Sequence, residues 1–216
     1  MRGADLVMRP GSGGEEGDHP MKPLRCLAVA AALGLAACTP AYTLVPPAPT
    51  VAAQGAIRVH PARAWNRLPR AEDQLPWEEN WTQNGPVLDM ISFIGGLPDG
   101  EALIRQRRKE NRKVPVFRAG MTPPDLVSMI ESYYRVKAGV TLFNVLKVEP
   151  AAFLGVPGLQ LDYGYVGEDN VKRRGRMRFA VIGRKLYLMV LEASALHYFD
   201  AALPDFEAMA RTATRG

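Results

Sequence analysis

The chain of 216 residues has two cysteines, Cys26 and Cys38, both within its first forty residues. The remaining sequence can form no disulfide, so its stability must come from a hydrophobic core. Histidine is nearly as scarce. His60 and His197 lie far apart, with no His-x-x-x-His and no cysteine pair, so no metal site is expected. No Gly-x-Ser-x-Gly surrounds Ser92 or Ser194, no Gly-x-Gly-x-x-Gly or phosphate-binding loop is present, and the acids are scattered singly. No cofactor is called for. No apolar run reaches the roughly 20 residues that a membrane-spanning helix needs.

What is there begins at Met21. Lys22 and Arg25 precede the twelve-residue apolar run Cys26–Ala37, the basic and apolar regions of a secretory signal. The run ends in Leu35-Ala36-Ala37-Cys38. That tetrapeptide resembles the bacterial lipobox, at which an envelope protein is cut and lipidated on its new N-terminal cysteine. The resemblance implies that residues 21–37 are a lipoprotein signal peptide and that Cys38 carries diacylglycerol and palmitate. The alternative is a plain secreted protein cut near Ala37. Thr39, in place of an aspartate, implies outer-membrane sorting, with the domain facing the periplasm. Residues 1–20 are read as disordered or as a start site placed too early.

Residues 38–55 are expected to form a tether. Thr39–Gly55 is uncharged, carries prolines 40, 46, 47 and 49, and shows no amphipathic period. At about 3.1 Å per residue, proline-rich chain of this length reaches roughly 50 Å. Residues 56–216 then form one globular domain.

Within that domain Ala56–His60 is expected as a first strand, followed by an irregular Pro61–Gln83 holding Trp65, Trp77 and Trp81. The tryptophans are read as plugs at the edge of the core, the alternative being an aromatic platform. Val87–Ile94 is a strand, with Gly95-Gly96 as a turn behind it. Ala102–Ile104 and Val114–Arg118 are short returning strands. Met121–Ala138 is a helix with Thr122 as N-cap, Pro123 in its first turn, Asp125 near its positive end, and an apolar stripe of Leu126, Met129, Ile130, Tyr133 and Val136.

Thr141–Val148 is a further strand and Pro150–Gly158 a loop. A meander follows: Leu159–Val166, Val171–Ile182 and Lys185–Glu192. Patterning puts Leu159, Leu161, Tyr163 and Tyr165 on one face with Gly175, Met177, Phe179 and Val181, and sets Asp162 opposite Arg176. The last strand is apolar on both faces and needs cover on both. Leu203–Thr214, with Phe206, Met209, Ala210 and Ala213, supplies a second helix.

The fold class is thus α+β: a mostly antiparallel sheet of about six or seven strands with helices packed on it, an α/β/α sandwich. This element order is similar to the PsbP-type domain of photosystem accessory subunits and several envelope lipoproteins. Phe93-Ile94-Gly95-Gly96 and His197-Tyr198-Phe199-Asp200 are similar to stretches of uncharacterised proteobacterial envelope lipoproteins.

The function expected is that of a non-enzymatic binding or accessory domain of the cell envelope. The alternative is a lipid-anchored hydrolase using His197 and Asp200. The charge excess concentrates in Arg105–Lys113, where Arg105, Arg107, Arg108, Lys109, Arg112 and Lys113 face one acid. These six are the candidates for binding anionic lipid or an acidic envelope protein, beside the membrane contact made by the lipid on Cys38. The pI of about 9.4 would suggest nucleic acid in a cytosolic chain; behind an export signal, none is expected.

Overall fold

The last strand of the meander, Lys185–Ser194 (β10), is the hinge of the architecture, because its alternate residues feed two separate cores. Leu186, Leu188 and Val190 enter one, while Met189, Leu191 and Ala193 enter the other. The computed structural model describes residues 41–72, 74–105, 114–137, 139–140 and 142–216. Cys38, Arg107, Arg108, Lys109, Arg112 and Lys113 lie outside these residues.

Eight antiparallel strands form the main sheet. In chain order its members are β1 (Thr43–Val45), β4 (Trp65–Arg67), β5 (Glu78–Thr82), β6 (Asp89–Pro98), β7 (Phe143–Phe153), β8 (Val156–Val166), β9 (Lys172–Ile182) and β10. Their spatial order is β1-β4-β5-β6-β10-β9-β8-β7. A smaller sheet pairs β3 (Ile57–Val59) with β2 (Thr50–Ala52) and β11 (Thr214–Arg215). Helix α1 (Pro123–Lys137) covers one face of the main sheet, and α2 (Tyr198–Thr212) with the small sheet covers the other. Among the described residues this is an α+β fold, with two helices on an eight-stranded antiparallel sheet.

The register of the meander follows the pattern of its side chains. Leu161 faces Met177, Asp162 faces Arg176 and Tyr163 faces Gly175 across β8 and β9. Arg176 closes on Asp162 at 2.6 Å and on Glu207 of α2 at 2.8 Å, so the polar ladder on that face also pins the helix. Thr122 begins α1 as expected. Its backbone N–H and hydroxyl donate to Asp125 at 2.9 and 2.7 Å, satisfying the helix entry reciprocally.

Five expectations are corrected. Residues 43–52 are not spacer: β1 pairs with β4, β2 pairs with β3, and Val45 and Ala52 are buried. Three-residue strands are too short to show a period, and Pro46, Pro47 and Pro49 turn the chain between two sheets. The compact unit therefore begins at Ala41. Pro61–Gln83 is not irregular throughout: it contains β4 and β5, and Trp65 and Trp81 lie in these strands. Gly95-Gly96 is no turn but the interior of β6. A Cβ on Gly95 would come within 2.5 Å of the Ala56 Cβ, and Gly96, at φ +90°, forms the bulge opposite Leu186 and Tyr187.

The remaining two concern element ends. The supposed loop Pro150–Gly158 is mostly strand, with β7 and β8 joined tightly at Leu154-Gly155; both residues have positive φ, which a leucine does not advertise. Pro150 is tolerated because β7 is the sheet edge. Finally, α2 starts at Tyr198, with Pro204 inside it, so Phe199 and Ala202 join the expected stripe in the core.

Candidate ligand cavity

Between α1 and the sheet lies a cavity of about 210 Å³. Its floor comes from alternate residues of the central strands, including Met90 and Ile94 of β6, Met177 of β9, and Leu188 and Val190 of β10. Ile130 closes it from α1. Polar side chains interrupt this apolar lining at Glu78, Ser92, Glu192 and Lys137.

Tyrosines build one wall. Tyr133 and Tyr134 descend from α1, and Tyr165 rises from β8. Behind them Tyr163 is fully buried, its hydroxyl bonded to that of Tyr134. Phe143 stacks on both Tyr134 and Tyr163, with ring centroids 5.0 and 4.8 Å away. Tyr163 reaches this position because residue 175, directly opposite, is glycine. A Cβ there would stand 2.0 Å from the Tyr163 ring.

Glu192 organises the polar end. Its carboxylate accepts hydrogen bonds from Tyr165 at 2.5 Å and from Tyr163 at 3.3 Å. Burial holds the Tyr134, Tyr163 and Tyr165 phenols above the ordinary tyrosine value, and the Glu192 charge pushes the same way. They remain neutral donors. At the other polar point, Lys137 donates to the Tyr133 hydroxyl at 2.6 Å, and its ammonium stands 5.2 Å from that ring's centroid. The Tyr133 oxygen, with Glu78 and then Glu192 behind it, raises the Lys137 pKa against the cost of desolvation.

An adjoining groove of about 290 Å³ shares Glu78, Leu103 and Lys137 with the cavity. Asn80 lines it, and its buried Oδ1 has no hydrogen-bond partner among the described residues. Arg105, the first of the basic segment, also lines this groove and donates to the Glu72 carbonyl at 3.4 Å.

His197 and Asp200, the candidates of the alternative hydrolase reading, have other neighbours. His197 occupies the N-cap position of α2 without a side-chain capping bond, exposed and set edge-on to Tyr198. Asp200 pairs with Arg174 at 2.9 Å instead. Ser92 lines the cavity, whereas Ser194 is buried elsewhere. Among the described residues no group of His, Cys, Asp and Glu could hold a metal ion. Trp65 and Trp81 are fully buried, as core tryptophans should be.

Sequence reasoning put Tyr133 on the apolar stripe of α1 and Tyr163 and Tyr165 on one face of the sheet, simply as core, whereas Tyr134, outside that stripe, is the buried residue of the helix pair. Two signals could have revealed more. Glu192 is an acid in a strand apolar on both faces, and Gly175 interrupts a strand facing Tyr163.

No protein-family model matches the chain, and no curated protein matches it. Solved structures do. Cyanobacterial PsbP (CyanoP) from Synechocystis sp. PCC 6803 aligns over 84% of this chain and 96% of its own, with a TM-score of 0.50 at 12% identity. That likeness is one of fold. A Pseudomonas aeruginosa protein of unknown function, PA94, a putative regulator, aligns over 69% and 89%, with a TM-score of 0.43 at 15% identity. LpqN, involved in cell envelope biogenesis of Mycobacterium tuberculosis, aligns over 83% and 87%, with a TM-score of 0.33 at 13% identity. Among the described residues no helix is long and apolar enough to cross a membrane.

Proposed function

We propose that this chain is a lipid-anchored envelope protein whose PsbP-like domain binds rather than catalyses. The observation that carries the binding reading is the cavity under α1, which combines an apolar floor with a few convergent polar groups. The candidate hydrolase residues, by contrast, are exposed, with Asp200 committed to Arg174. The address rests on Leu35–Cys38. Lipid on Cys38 holds the domain at the periplasmic face of the outer membrane, and the basic segment Arg105–Lys113 then meets anionic lipid or an acidic envelope protein. Clustered cations near such a surface gain about 1 kcal/mol each, within a Debye length of about 8 Å.

Metabolic labelling with a clickable fatty acid tests the anchor: Cys38→Ser abolishes label and normal processing, and equal labelling of the variant overturns it. Cross-linking from whole membranes tests the binding role. Changing Arg107, Arg108, Arg112 and Lys113 to Gln reduces both vesicle association and partner recovery without moving the melting temperature. Unchanged binding at low and physiological salt removes that segment from the reading.

A further inference from the structure

The cavity's own chemistry narrows what it can hold. Its volume of about 210 Å³ is somewhat larger than the ~150 Å³ apolar cavity that takes up benzene. A body of ring size with a few further heavy atoms therefore fits on the Met177, Val190 and Ile130 surfaces.

Charge decides the rest. Two carboxylates line the cavity, Glu78 and Glu192, against one ammonium, that of Lys137. Arg173, which lies near Glu192, is taken by Asp169 through two hydrogen bonds of 2.8 and 2.6 Å. The balance facing the cavity is negative. Three tyrosines line the same space, and phenol rings beside a carboxylate suit an ammonium group. The molecule already shows the contact: the Lys137 ammonium sits by the Tyr133 ring and hydroxyl, drawn by Glu78 and Glu192.

We propose that the cavity between α1 and the sheet binds a small organic cation, an amine or quaternary ammonium on an apolar body of about ring size. Its charged group sits at the Glu192–tyrosine end, and its apolar part lies on the floor. Lys137 is the internal cation that it competes with. This deepens the binding-domain reading above and rests on it.

The test uses the full chain with Cys38→Ser, so that it stays unlipidated. Benzyltrimethylammonium, benzylamine, benzyl alcohol and phenylacetate are titrated while the methionine methyl resonances are followed by NMR. Met90 and Met177 report from the cavity and Met209 from the opposite core. The two cations should shift Met90 and Met177 but leave Met209 in place. Phenylacetate should bind at least roughly tenfold more weakly. Glu192→Gln should weaken the cations roughly tenfold and leave benzyl alcohol unchanged. Lys137→Met, at an exposed helix end, should tighten the cations several-fold, and it carries the test should Glu192→Gln fail to fold.

Equal or tighter binding of phenylacetate or benzyl alcohol overturns the cation assignment while leaving a binding domain standing. Silence of Met90 and Met177 towards all four probes overturns the cavity as the site. In that case the membrane cross-linking result decides the binding reading on its own.

Discussion

The two faces of the main sheet are built to opposite ends. Under α2 the apolar residues form a buried cluster, and the polar groups are tied across elements. Buried Asp205 accepts from the Trp65 indole and from the Ala62 backbone, both at 2.6 Å, joining α2 to the first strands of the chain. Glu207 is held by Arg176 at 2.8 Å and Arg178 at 2.9 Å. Under α1 the same strands leave a cavity, and an acid on that face, Glu192, bonds to Tyr165, which borders it. Strand β10 contributes to both sides, so the difference cannot come from its hydrophobicity. It comes from what meets β10: a filled helix stripe on one side, and on the other four tyrosines, a glycine and a lysine. Cross-element polar ties lie on one face, and open space lies on the other.

The largest expected effect tests that contrast directly, with one chemistry on each side. Met209→Ala, in the sealed core, should cost about 4 kcal/mol, because the hole it leaves has filled surroundings. Met177→Ala should cost about 2 kcal/mol, because its side chain already borders a space with no partner atoms. Urea denaturation measures both. Equal losses would mean that the two faces are packed alike.

Next comes the polar tie. Asp205→Ala strands the Trp65 indole N–H and the Ala62 N–H in buried or part-buried positions, and should cost about 3 kcal/mol by the same measurement. Ser92→Ala, on the cavity side, should cost under about 0.5 kcal/mol. A loss below about 1 kcal/mol for Asp205→Ala would show that the tie does not close that face.

A smaller effect sharpens the picture of the tyrosine wall. Gly175→Ala places a methyl group on the Tyr163 ring, which must move and take its bond to Tyr134 with it. Overpacking of this kind costs about 2 kcal/mol. Near-ultraviolet circular dichroism should change in the tyrosine band while the far-ultraviolet spectrum holds. An unchanged tyrosine band would place the wall elsewhere.

These sites also show where the sequence is readable. The period-two pattern of β8 to β10 carries the register down to Asp162 against Arg176, because slipping one residue would bury three arginines, Arg174, Arg176 and Arg178. The same logic finds both helices and the two-sided strand between them. It is silent on β1, β2 and β4, whose three residues hold too few alternations to register against their prolines and polar neighbours. It misreads Gly95-Gly96, since a glycine pair signals a turn and a close approach of backbones equally well. The cavity is harder still. A side chain that lines a space and one that fills it have the same hydrophobicity, so Met177 and Met209 look alike until the partner surface is known. His197 and Asp200 stood out for residue type alone, and the helix start between them sends their side chains to different neighbours.

The smallest expected effect concerns the helix that roofs the cavity. Asp125 accepts from the Thr122 hydroxyl and backbone N–H, and those bonds lower its pKa below the ordinary 3.8, the hydroxyl contributing first. A carboxyl whose folded pKa is depressed stabilises the fold above its unfolded value and loses that contribution as pH falls through the folded one. The cap on α1 should therefore be intact at neutral pH and weaken only below about pH 3.8. Asp125→Asn keeps an acceptor but removes the titration. The difference in urea midpoint between wild type and Asp125→Asn should hold steady above about pH 5 and shrink as the acid limb is entered. Because Asp125 is exposed, the change is small, and other carboxyls cancel in the difference. A difference that grows on acidification would have the wrong sign for a capping carboxylate, and the entry of α1 would then owe nothing to the charge on Asp125.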